Sequence, residues 1–285
     1  MKRFYILAMG LAGIILAASC SNEEKKDIEP VVQQPVQLVF QGVQSDGGAD
    51  TKSYLDGGSV YWNTYDAINV FAGGSSYRFD TKEGGATVTF VGVVLSEDIH
   101  YYGLFPYDES ATYDSDTYTY TTTFPAEQTA VANSFAKDAN VTVATTTNNE
   151  MTFHFKNVCG LVKFNITSAE ATLPFTKAVL QGLTTPTPES IAGAMSIVHN
   201  SPSVPVGTIT GSGTTITLNA PAETTFLKDT DYYIVVPPTT FAAGYKITFY
   251  AGETPGPVWT VTTPTDVLRS KILDAGVYTY VAPTP

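Results

Sequence analysis

The sequence predicts an all-β protein, two tandem β-sandwich domains behind an export signal. Three observations carry this. Short runs rich in Thr, Val, Tyr and Phe recur along the chain, several alternating apolar and polar residues at period two. Gly, Asp, Asn or Pro bounds nearly every run. At the N terminus, Lys2 and Arg3 precede an apolar stretch over 4–18, shorter than the ~20 residues that a membrane-spanning helix needs.

Composition narrows the function. The 285 residues are 43% hydrophobic and 15% charged, which supplies a packed core and separates the chain from disordered sequences. Lys and Arg total 15 against 27 Asp and Glu, and the net charge of −12 opposes binding to nucleic acid, which needs a basic surface. Three His, three Arg and two Cys leave little material for metal, thiol or guanidinium chemistry. The expectation is a protein that is not an enzyme and has no cofactor and no metal site.

The first element is a lipoprotein signal peptide, 1–19. Leu16-Ala17-Ala18-Ser19-Cys20 resembles a lipobox, with Ala17 where a larger aliphatic residue is usual, so Cys20 is the expected lipidation site. Without 1–19 the chain keeps 13 basic and 27 acidic residues, a net charge of −14. The segment 20–35 reads as an acidic, polar tether, and its charges resemble the signal that sends Bacteroidota lipoproteins to the outer face of the outer membrane. If Cys20 carries lipid, Cys159 has no disulfide partner and reads as a small buried hydrophobe in Val158-Cys159-Gly160-Leu161-Val162.

The first domain is expected over 36–150. Val36, Leu38 and Phe40 alternate with polar or outward positions, and a Gly- and Asp-rich loop over 45–52 follows. Further strands are predicted near 60–62, 68–71, 77–79, 87–94, 99–105 and 118–122, with one short helix at 129–137. The polar stretch 144–150 marks the boundary. The second domain, 151–285, carries runs at 153–155, 161–166, 178–182, 194–198, 214–218, 232–236, 245–251, 258–262 and 277–281. Its prolines fall mostly between those runs, where a missing N–H does no harm.

Catalytic patterns are nearly absent. His100, His154 and His199 are 54 and 45 residues apart, so no pair shares a helical face for zinc, and no nucleophile elbow or phosphate loop occurs. The densest acidic patch, Asp108, Glu109, Asp114 and Asp116, lies among Tyr107, Tyr113, Tyr118 and Tyr120 and lacks calcium-loop spacing. It reads as an exposed loop with cross-strand aromatic packing. A surface glycan binder that does not polymerise is the alternative, if some of Tyr113, Tyr118, Tyr120 and Trp259 form a flat platform.

Five elements in order resemble the fimbrillin family. Tyr54-Leu55-Asp56 and Val60-Tyr61-Trp62, then Asp66-Ala67-Ile68-Asn69-Val70-Phe71, are similar to its strand ending in Trp followed by a Gly-Asp-x-Ile strand, with Tyr65 where Gly is usual. His100-Tyr101-Tyr102-Gly103-Leu104-Phe105-Pro106-Tyr107 resembles an aromatic strand with Gly103 for Ala, and Pro125-Ala126-Glu127-Gln128 a Pro-x-x-Gln element. Phe153-His154-Phe155-Lys156-Asn157 with 160–164 resembles another segment, with Asn157 where His is commoner, and Gly276-Val277-Tyr278 the closing strand.

The resemblance implies transthyretin-like sandwiches and a subunit of a type V pilus that meets other fimbrial subunits by β-strand complementation. In that family a trypsin-like protease cuts the loop after the first strand, that strand leaves, and a neighbour's C-terminal strand fills the groove, and the resemblance implies the same here. Processing usually follows Arg, yet none lies between Arg3 and Arg78, so Lys52-Ser53 is the expected bond. The chain continues only seven residues past Tyr278, which favours a tip or accessory subunit over a stalk subunit. Lipid on Cys20 implies attachment to the outer membrane, and an adhesive role implies a ligand on a host or bacterial surface.

Overall fold

The computed structural model describes residues 35–44, 54–56 and 59–283, and every regular element among them is a strand. The first twelve are β1 (Val36–Gln44), β2 (Tyr54–Asp56), β3 (Ser59–Tyr61), β4 (Ala67–Ala72), β5 (Ser75–Thr81), β6 (Thr87–Val94), β7 (His100–Phe105), β8 (Thr112–Asp114), β9 (Thr119–Phe124), β10 (Glu127–Thr129), β11 (Thr142–Thr147) and β12 (Thr152–Asn157). Seven of them close into a barrel in the order β1-β12-β11-β7-β4-β5-β6, because β1 pairs on both of its sides. A Gly73-Gly74 turn with φ of 54° and 77° joins β4 to β5, the left-handed geometry that a tight hairpin needs.

Aromatic rings fill the barrel. Trp62 is fully buried, with Phe90, Phe105 and Phe155 edge-on at 5.2, 5.1 and 5.2 Å between ring centroids. Such edge-to-face contacts set the positive rim of one ring against the negative face of the next. In β4 every residue is buried, since Ile68 and Val70 face the barrel while Phe71 joins a second core on its outside. Leu104 of β7 faces that second core as well.

The remaining strands are β13 (Gly160–Ser168), β14 (Lys177–Gly182), β15 (Gly193–Val198), β16 (Val206–Ile209), β17 (Thr215–Asn219), β18 (Asp231–Val236), β19 (Thr239–Phe241), β20 (Tyr245–Ala251), β21 (Thr254–Val261), β22 (Thr265–Val267) and β23 (Ile272–Tyr280). Sheet β10-β17-β14-β20-β21 packs on sheet β18-β13-β23, with Phe164 of β13 and Phe249 of β20 in contact at 5.8 Å. A third sheet, β16-β15-β9-β8, joins strands from both halves of the chain.

The polar stretch 144–150 is the end of β11 and the turn into β12, and both strands belong to the barrel. β12 sends Phe153 and Phe155 into the barrel core, while β9 and β10 pair with β15 and β17. The helix expected at 129–137 does not form. Its amides point to neighbouring strands: Ala130 N–H donates to Asn219 O at 2.7 Å and Asn133 N–H to Asp231 O at 2.8 Å. Asn133 is left-handed, and Phe135, 1% exposed, is held by a bridge to Tyr233. A segment this short gains too few internal hydrogen bonds to repay helix nucleation.

Candidate functional site

The seat of β1 is the feature that the fold builds most deliberately. From Val36 to Val43 the strand runs antiparallel to β6, and from Gln41 to Gln44 it also runs parallel to β12. Parallel pairing is otherwise rare in this chain, and here it closes the ring. Leu38 and Phe40 point inward, and the Phe40 ring meets Phe153, Tyr101 and Phe79 at 4.7, 5.0 and 5.4 Å. Outward, Gln37, Val39 and Gln41 are exposed. The alternation read from the sequence is thus the alternation between the barrel interior and its surface.

Without β1, the backbone groups of β6 and β12 that pair with it would face water beside apolar pockets emptied of Leu38 and Phe40. Such an edge is a template for another strand. Gly42 fits the seat for a steric reason. A Cβ there would lie 2.6 Å from Phe90 Cε2, so only a bare backbone clears the ring.

Cys20, Lys52 and Ser53 lie outside the described residues. Cys159 is 1% exposed, and burial pushes its thiol up to about 12 despite a hydrogen bond with the Val141 backbone. His100 lies on β7, His154 on β12 and His199 just past the end of β15, and among the described residues no three His, Cys, Asp or Glu side chains are grouped to hold a metal ion.

The acidic and tyrosine patch is structural. Asp108 Oδ1 accepts from the Ser110 amide and hydroxyl, and Oδ2 accepts from Thr122 Oγ1 and the Thr123 amide. Burial alone would raise its pKa, but these donors hold the carboxyl below the usual range. Asp114 fixes the β8–β9 turn by accepting from the Asp116 amide and Thr117 Oγ1. Tyr120 is fully buried and donates to Ala144 O at 3.0 Å. Tyr113 stacks on Tyr102 at 4.0 Å and touches Tyr120 at 4.7 Å. Trp259 packs near Tyr278, on a different sheet. The tyrosine–tryptophan platform imagined from sequence is therefore not assembled, because alternation along β9 turns Tyr120 into the core.

Sequence reasoning missed Gln128. Its motif was visible, but not that the side chain would be 3% exposed and bonded twice to Val235 of β18. At the other end of the chain, β23 runs parallel to β13, and Lys163 Nζ lies 2.7 Å from Asp274 and 3.8 Å from Asp231. Hydrogen bonding to Asp274 raises the Lys163 pKa, so the ammonium is charged across the neutral range.

No protein-family model matches the chain, and no curated protein matches it in sequence. Solved structures do show likeness. A protein assigned to cell adhesion from Bacteroides uniformis aligns with a TM-score of 0.47 at 15% identity, over 85% of this chain and 94% of that one. A second, from Bacteroides ovatus, aligns at 0.46 and 11% identity over 86% and 92%. The C-terminally truncated tip fimbrial protein Mfa3 of Porphyromonas gingivalis aligns at 0.37 and 11% over 88% and 97%.

Proposed function

We propose that this chain is a structural and adhesive subunit of a cell-surface fimbria, exported as a lipoprotein on Cys20 and without catalytic activity. The observation that carries the proposal is the double pairing of β1, whose loss opens a groove with two edges and two emptied apolar pockets. The five ordered fimbrillin-like elements and the lipobox support it from the sequence. Cleavage at Lys52-Ser53 frees β1, and a strand from another subunit takes its place. β23 is committed to its own sandwich through β13 and the Lys163–Asp274 pair, which favours a subunit that accepts a strand over one that donates its own. A tip or accessory position follows.

The test is the N-terminus of the protein on intact cells, read by mass spectrometry. A start at Ser53 and recovery in the fimbrial fraction are expected. An acylated Cys20 with no shorter form would remove strand exchange and leave an anchored surface binder.

A further inference from the structure

A groove of about 520 Å³ opens where the barrel meets the C-terminal end of β9, and neither strand pairing nor the core accounts for it. Its lining comes from the turn before β4, from β5, from the segment after β7, from β9 and from the loop before β11. We propose that it binds a short neutral saccharide. The proposal does not depend on strand exchange, since no residue of β1 lines the groove.

Tyr65 gives the first reason. Its side chain is 75% exposed, and its backbone is left-handed at φ 70°, which costs a bulky residue about 1–3 kcal/mol. Glycine would fill that turn without strain. The turn is nonetheless fixed, by Tyr65 N–H donating to Thr81 O at 3.0 Å and Asn63 N–H to Asp66 Oδ2 at 2.7 Å. A rigid backbone therefore presents an aromatic face to water at the groove wall, with no packing gain to offset the strain.

The second reason is an ordered planar donor. Arg78 donates from Nε and Nη2 to Asp80 Oδ1 at 2.9 and 2.8 Å, and its guanidinium sits over the Tyr107 ring at 4.9 Å. Pinned in this way, it loses little entropy when further N–H groups meet a hydroxyl.

Charge is the third. Arg78 is paired with Asp80, and Lys137 lies 3.9 Å from Asp138. The Asp108 carboxylate is taken by its four hydrogen bonds. Asp66 is buried and accepts from the Asn63 amide, which leaves the exposed Glu109 carboxylate as the lining charge outside these interactions, a single group that does not by itself select an ionic ligand. Aromatic faces for sugar C–H groups, fixed planar donors and a volume within the ~300–1,000 Å³ of small-molecule sites match an uncharged, hydroxyl-rich ligand.

Saturation-transfer NMR on the purified full chain tests this with maltotriose, mannotriose, lactose and diacetylchitobiose, and with 3′-sialyllactose and tetralysine as charged probes. At least one neutral sugar should give ring-proton signals. Tyr65→Asn, which tolerates the left-handed turn, and Arg78→Met should each weaken that binding at least tenfold, with the Tyr65→Asn thermal midpoint unchanged. Silence from all four neutral sugars, binding confined to a charged probe, or neutral-sugar binding that survives both variants would overturn the proposal.

Discussion

Gln128 and Val235 exchange two hydrogen bonds across the second core: Gln128 Nε2 donates to Val235 O at 2.8 Å, and Val235 N–H donates to Gln128 Oε1 at 2.9 Å. One amide side chain on β10 thus mimics a strand neighbour for β18 and ties together the two sheets of the sandwich. Gln128→Leu keeps the volume but strands a buried donor and acceptor. A loss of about 2–4 kcal/mol is expected in urea unfolding. A change below ~0.5 kcal/mol would mean that the clamp carries no stability.

Trp62 should be the most sensitive position in the barrel. It fills the space among Phe90, Phe105 and Phe155, so Trp62→Ala is expected to cost roughly 3–5 kcal/mol. Among the described residues its indole N–H has no hydrogen-bond partner, so Trp62→Phe removes an unsatisfied donor along with the volume and should cost less than half as much. Equal losses for the two variants would place the cost in the missing N–H and not in packing.

Gly42→Ala tests the seat of β1 directly. The added methyl would meet the Phe90 ring, and overpacking of this kind costs about 1–3 kcal/mol. Amide exchange should accelerate first in β1 and in the facing residues of β6. Uniform acceleration across the barrel would show instead that β1 does not open separately.

Acid should release the loop that Asp108 holds. Its pKa is depressed in the folded protein, so its contribution is complete above the unfolded value of about 3.9 and fades as pH falls through the lower folded value. Asp108→Asn should therefore cost about 1 kcal/mol at pH 7, given the partial exposure of the site, and nearly nothing once pH is well below the folded value. A penalty that persists unchanged in acid would show that geometry, not charge, holds the loop.

Cys159 should be silent in the native state. Burial keeps its thiol protonated and out of reach, so iodoacetamide should label the Cys159 peptide only as denaturant unfolds the chain. Rapid native labelling would reveal local opening at β13.

The period-two signal in the sequence reported side-chain direction well. Leu38 and Phe40 are inward on β1, and Phe153 and Phe155 are inward on β12, as their alternation implies. What alternation cannot encode is the partner. Nothing local in 36–44 says that its far end will lie parallel to 152–155, or that 127–129 will pair with 217–219, because those pairings are chosen by closure of the whole sheet. The same gap explains the tyrosines. Their density near 113–120 was visible, but which rings turn inward depends on where β9 meets β15. The Tyr65 wall was legible only as an odd residue in a turn, and its groove is assembled from five separate segments.

The two-sided pairing of β1 also has a mechanical meaning. Its backbone bonds to β6 and β12 lie across the strand, so tension along β1 loads them side by side and they must fail together. A pull on one edge would instead part them one at a time. The end near Gln44 is gripped from both flanks and the end near Val36 from one, so resistance to load differs with the end at which it enters. A barrel closed in this way is a directional fastener, stiff to drag along the strand and yielding to peeling.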